Sequence, residues 1–303
     1  MPSYMSHILM GMDVLNELKK DNLLTREVNE NAYRTFTLGA DLASTSTKIK
    51  YNPHNKNTKI FFLELVHYIK QNHYDLDKDG MALLYGHIVH YFLDINAHPF
   101  VYYLEKDSKK VGIVPNHYLI EGYIDSYIVN KKMGVDVTKV DCTCFDKMNW
   151  NEAAIRNTIN NVYGRIYGDY RMVDAYKLTL FFINFWEKFH KKVLPIKNLK
   201  VNLTGFRKFI KMNDFTYSEL VNNNHFLWEN PFDGESNNKS FMDLYNDSVD
   251  MSVDAIKKVN KYLDNECSIS SLENVFNDIS YDTGISCSKG KELLYGRKKY
   301  YKK

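Results

Sequence analysis

Apolar residues recur at the three- and four-residue spacing of an amphipathic helix in six windows of this chain: 7–20, 59–71, 81–96, 116–131, 174–191 and 240–263. Alternating runs of the kind a half-buried strand requires are scarce, so the sequence predicts an all-α fold. Most prolines (Pro53, Pro99, Pro115, Pro195 and Pro231) fall near expected helix ends, where a missing N–H costs little. Pro99 in particular is expected to stop the helix that begins near Met81. Asn-rich stretches at 221–225 and 236–239 are expected to be exposed loops. With 303 residues, 44% of them hydrophobic, the chain can bury a large core. We read it as one domain, 1–303, whose first part, about 1–130, is chemically dense and whose later part, about 150–303, is helical scaffold and C-terminal extension.

Charge narrows the choice of function. Forty basic and 37 acidic residues leave a net charge of +3, too balanced for the basic surface of a typical nucleic-acid binder. Substrate must therefore be read from a site. Four cysteines, two of them in Cys142-Thr143-Cys144, do not make a disulfide framework, and their one-residue spacing differs from the loop of a structural zinc site. The N-terminal stretch lacks the basic, apolar and small-residue regions of a signal peptide, and no transmembrane segment is visible, so the expected address is cytoplasmic. Oligomeric state is not legible.

Histidine placement is more informative. Only two of the ten histidines follow Trp150, which suggests a site in the first half supported by a scaffold in the second. In Gly86-His87-Ile88-Val89-His90-Tyr91-Phe92-Leu93-Asp94-Ile95-Asn96-Ala97-His98-Pro99, a helix places His90 and Asp94 on one face, with His98 emerging on the same side. His117-Tyr118-Leu119-Ile120-Glu121 offers a second histidine and carboxylate four apart. Two such pairs on neighbouring helices point to a multi-ion metal site, and mixed imidazole and carboxylate ligands suit zinc, manganese or iron better than calcium. The run beginning Asp75-Leu76-Asp77 opens like a calcium loop, but its twelfth position is Gly86, so a turn capping the helix at Met81 is the better reading. His87 is read as a packed helix histidine, and His67 and His73 as surface residues. Asp125, on the Glu121 face, either orients His117 or pairs with a lysine.

The segments HYFLD, AHP and HYLIE, together with Ser6-His7, Gly39-Ala40-Asp41 and the run Pro53 to Thr58, resemble the zinc-dependent phospholipase C family, whose fold is shared with P1-type nucleases. Residues 225–231 and 280–284 resemble its bacterial, signal-less branch. The resemblance implies a multi-helix phospholipase C / P1 nuclease-like bundle holding up to three zinc ions. It places Asp41, His54, His90 and Asp94 around one ion and His98, His117 and Glu121 around a second. Asp94 would bridge to a third ion, completed by His7 and the chain's own N-terminus. Asp41 lies where the family's general base is expected. In secreted members the N-terminal ligand is a tryptophan exposed by signal cleavage, which this chain lacks; here, removal of Met1 would expose the Pro2 amine five residues before His7. His98 follows Asp94 by four residues rather than six.

These features imply hydrolysis of a phosphodiester by activated water, with a phospholipid or another diester as substrate. A single-strand nuclease on the same fold is the alternative within enzymes, with nucleic acid not favoured. An inactive metal-binding scaffold is the alternative outside them.

Overall fold

The structure, a computed structural model, describes residues 4–20, 22–50, 52–107, 117–140, 148–193 and 220–289. Pro2, Pro115, Cys142, Cys144 and Pro195 lie outside them. Nine α-helices are formed among the described residues: α1 (Tyr4–Lys20), α2 (Glu30–Phe36), α3 (Asn52–Asn55), α4 (Thr58–Gln71), α5 (Lys78–Asp107), α6 (His117–Met133), α7 (Ala153–Tyr167), α8 (Met172–Val193) and α9 (Phe241–Leu263). The only paired strands described form a short antiparallel hairpin, β1 (Trp228–Glu229) with β2 (Ser236–Asn237). The fold is all-α, as the spacing predicts.

The 30-residue α5 is the axis of the molecule, with α1, α2, α6, α7 and α9 against it. Apolar side chains all round it, including Met81, Leu84, Tyr85, Ile88, Val89, Phe92 and Phe100, are buried, which explains why it lies inside the bundle. Its start is capped by Asp77, whose Oδ1 accepts from the amides of Asp79 (2.7 Å) and Gly80 (3.1 Å). The acidic turn is thus a helix cap. Ser240 and Asp243 make a reciprocal capping box at the start of α9. That helix buries one stripe, including Leu244, Tyr245, Val249, Ile256 and Val259, and leaves its other face to solvent.

Three local expectations need correction. Pro99 does not end its helix: α5 runs through it to Asp107. The proline ring is buried in the bundle, and tertiary packing on both sides outweighs the lost intrahelical hydrogen bond. Asn222 is not an exposed loop residue. It is buried at φ 53°, and its side chain closes the turn by donating to the Phe226 carbonyl (3.0 Å) and accepting from the Phe226 amide (2.9 Å). Lastly, α2, α3 and α7 fall outside the periodic windows. The first two are too short to show a period, and the third is defined by its burial, Ile155, Ile159, Val162 and Tyr163 facing inward.

Candidate metal centre

Asp94, in the middle of α5 and fully buried, is where separate parts of the chain converge. Its Oδ1 lies 3.2 Å from His7 Nε2 of α1 and 3.9 Å from His98 Nδ1, and its Oδ2 lies 3.1 Å from His90 Nε2. The i, i+4 spacing on one helix accounts for His90 and His98; the packing of α1 on α5 brings in His7.

Beside them, a 3-10 turn (Gly39–Thr45) carries Asp41, whose Oδ1 sits 3.0 Å from His54 Nε2 of α3. Gly39 makes this approach possible. At φ 41° its backbone presses on His90, and a Cβ there would fall 2.4 Å from the imidazole ring. On the other side of Asp94, His98 Nε2 faces Glu121 Oε1 at 3.5 Å, and His117 Nε2 reaches the same oxygen at 2.7 Å.

Three sets of ligand atoms are each mutually within 4.8 Å: His7, Asp41 and His90; His54, His90 and Asp94; and His98, His117 and Glu121. The last is the grouping expected for the second ion. The first two share His90 and draw His7 toward Asp41 as well as toward Asp94, so the inner residues form one continuous cluster rather than separable sites. Pro2 lies outside the described residues.

Do these side chains fit a cation? Both ring nitrogens of His7, and His90 Nε2, Asp94 Oδ2, His98 Nε2 and both Glu121 oxygens, are buried without a hydrogen bond. Burying so many polar atoms in one place is costly unless something satisfies them. One ligand atom from each residue lies within 4.8 Å of the others in its set, a span that ions with ligand bonds of about 2 Å can bridge. The second nitrogens of two of these histidines are, by contrast, well bonded: His90 Nδ1 donates to the Thr37 carbonyl (3.2 Å) and His98 Nδ1 to the Tyr281 carbonyl (2.6 Å). Such bonds fix the tautomer that presents Nε2 to a metal. The donor set fits zinc.

Electrostatics point the same way. Burial pushes the Asp94 carboxyl upward, but the surrounding His90, His98 and His7 hold it well below the usual carboxylate range. Burial likewise raises Asp41, and the His54 hydrogen bond and nearby His90 bring it below its ordinary value. Burial lowers His90, whereas His98 is pushed up to about 10, its burial overcome by Asp94 and Glu121. The cluster is therefore a pocket of buried anionic charge that calls for positive charge.

Other residues fall into place around it. His87 is packed one turn before His90, with Nδ1 on the Leu83 carbonyl (2.9 Å) and Nε2 on Tyr176 Oη (3.1 Å). His67 is half-buried, 3.3 Å from Tyr262 Oη, and His73 is exposed. Trp228 is an anchor in the hairpin, buried against Phe100 and Tyr103, while His225 is exposed. Asp125 has a role that the sequence reading did not assign. It accepts from the amides of Met5 and Ser6 (both 2.9 Å) and from Ser6 Oγ (2.5 Å), clamping the first turn of α1 two residues before His7. That role spans 120 residues and leaves no local signal. Glu105, whose Oε2 lies 3.5 Å from His117 Nδ1, and Tyr281 were also not assigned from sequence.

A family profile described as zinc dependent phospholipase C matches residues 6–171. No curated protein and no solved structure matches the chain. The matched stretch covers more than half of the chain and includes every ligand candidate from His7 to Glu121, so this chain belongs to the zinc-dependent phospholipase C family.

Proposed function

We propose that the chain is a zinc-dependent hydrolase of phosphodiesters of the phospholipase C type, acting on a phospholipid. The observation that carries this reading is the convergence of buried, mutually facing ligand atoms around Asp94. Zinc bound there supplies a Lewis acid that makes water more acidic and offsets charge on the phosphate oxygens.

The chain's own residues divide the remaining work. Asp94 presents one oxygen toward His7 and the other toward His90, so a single carboxylate can serve two ions. His98, His117 and Glu121 would hold another, and the Pro2 amine together with His7 would complete a third. Asp41 is ionised and engages His54 through Oδ1, which leaves Oδ2 to accept the proton of the attacking water. The buried walls exclude bulk water from these charges and strengthen their interactions.

One observation favours a second reading, a single-strand nuclease. Tyr102 is half-buried with its ring 4.6 Å from that of His117, and Phe232 meets it edge-on at 5.1 Å, an aromatic surface against which a base could stack. The balanced net charge weighs against that reading.

Zinc content and turnover of bis-p-nitrophenyl phosphate by wild type, Asp94→Asn and His90→Ala test the site. Unchanged turnover in either variant would sink it. Phosphatidylcholine vesicles and single-stranded DNA, assayed side by side, then separate lipase from nuclease; hydrolysis of neither favours a scaffold without turnover.

A further inference from the structure

The histidines of both ion groups are held by a segment far outside the stretch that matches the family profile. Residues 279–286 close on themselves: Ile279 bridges Ser286, the Ser280 amide donates to the Ile285 carbonyl (2.8 Å), and the Gly284 amide returns to the Ser280 carbonyl (2.9 Å). The loop is anchored below by the Tyr91 hydroxyl on the Asn277 carbonyl (2.7 Å) and by Thr58 Oγ1 on Asp278 (3.1 Å).

Its tip lies across the centre. The Tyr281 amide donates to the His54 carbonyl (2.9 Å), and the Tyr281 carbonyl accepts from His98 Nδ1 (2.6 Å). One peptide residue thus grips a histidine of the inner cluster and a histidine of the outer one. The buried Tyr281 ring adds contacts with His54 (5.4 Å) and His90 (5.6 Å). Flanking side chains fix the same register: Asn55, next to His54, donates to Asp282 (3.0 Å) and accepts from Ser280 Oγ (2.9 Å).

The loop meets α5 where Pro99 interrupts the helical ladder. Pro99 has no N–H to offer the Ile95 carbonyl. Gly284, at φ 67°, backs onto that place so closely that a Cβ would fall 2.6 Å from both the Ile95 oxygen and the Pro99 ring. Only a glycine can bring the loop down onto the helix one turn from His98.

We propose that Ser280–Gly284 is a positioning strap that sets the tautomer of His98 and the placement of His54, and so couples assembly of the two ion groups. Tyr281 is a positioning residue that acts through its main chain. The inference deepens the zinc reading, since the side chains it orients are that reading's ligands.

Two measurements test it. Long-range ¹H–¹⁵N spectra of the zinc-loaded wild type should show His98 protonated at Nδ1 and bare at Nε2, and the metal-free protein should show a coupling from His98 Nδ1 across the hydrogen bond to the Tyr281 carbonyl carbon. The absence of either signature overturns the strap. Gly284→Ala, which lifts the loop from α5, should weaken zinc binding roughly 10- to 100-fold in competition with a chromophoric chelator, the range for losing outer support of a ligand. The visible spectrum of its cobalt-substituted form should change with it. Wild-type zinc affinity and an unaltered cobalt spectrum in that variant also overturn the strap. Should the variant not fold, the proton position in the wild type decides alone. A wild type that takes up no zinc defeats the metal reading, and the metal-free spectrum still judges the strap.

Discussion

The inner and outer parts of the metal centre are built in opposite ways. His7, Asp41, His54, His90 and Asp94 come from α1, a 3-10 turn, α3 and α5, and all are buried. His98, His117 and Glu121 come from two helices, two of them as an i, i+4 pair, and His117 is half-buried beside Tyr102. The first arrangement exists only once the bundle is packed, whereas in the second the His117–Glu121 pair is already set by one helix. The inner cluster should therefore answer to the scaffold throughout, and the outer group to the scaffold only through His98.

The strongest way to break that contrast is Asp94→Asn. Losing the shared carboxylate removes several kcal/mol of charge stabilisation, so turnover should fall on the order of a thousandfold and zinc content should drop in both parts. Loss of a single ion with turnover intact would show that the parts do not share Asp94. Glu121→Gln is the complementary case: zinc content should fall by the outer ion alone, with the inner ions retained.

Scaffold dependence predicts a pH effect from His87, one turn behind His90. Burial lowers its pKa to about 4 against the Leu83 carbonyl bond, from an unfolded value of 6.5. The unfolded chain thus binds the extra proton first as pH falls. Stability is full above about pH 6.5 and declines toward pH 4, by up to about 3 kcal/mol. Urea unfolding at pH 7 and pH 4.5 should show a larger drop for wild type than for His87→Gln, and equal drops would exclude His87 as the source.

Smaller effects sharpen the picture. Asp125→Ala should cost about 1–3 kcal/mol by stranding the α1 amides, and should weaken zinc binding through His7 while sparing His117 and Glu121. Gly39→Ala should cost about 1–3 kcal/mol from strain at positive φ and contact with His90, read as a lowered melting temperature.

The same contrast governs what the sequence could disclose. Helical spacing exposed α1, α4, α5, α6, α8 and α9, and the His-x-x-x-acid pairs on α5 and α6, because those relations are local. His7, Asp41 and His54 carry no pairing signal of their own and were placed only by family resemblance. Asp125, Tyr281 and Gly284 act across 119 to 189 residues of chain through main-chain contacts, which no local pattern encodes. Pro99 misled for a related reason: the rule that ends helices at proline is local, and the packing that carries α5 past it is not.

Metal analysis of the purified protein, joined to an anomalous scattering map at the zinc edge, bears most directly on a centre organised by Asp94. Zinc peaks on both sides of that carboxylate, one among His7, Asp41, His54 and His90 and another among His98, His117 and Glu121, are expected. An absence of zinc, or one isolated ion bound away from Asp94, would contradict it.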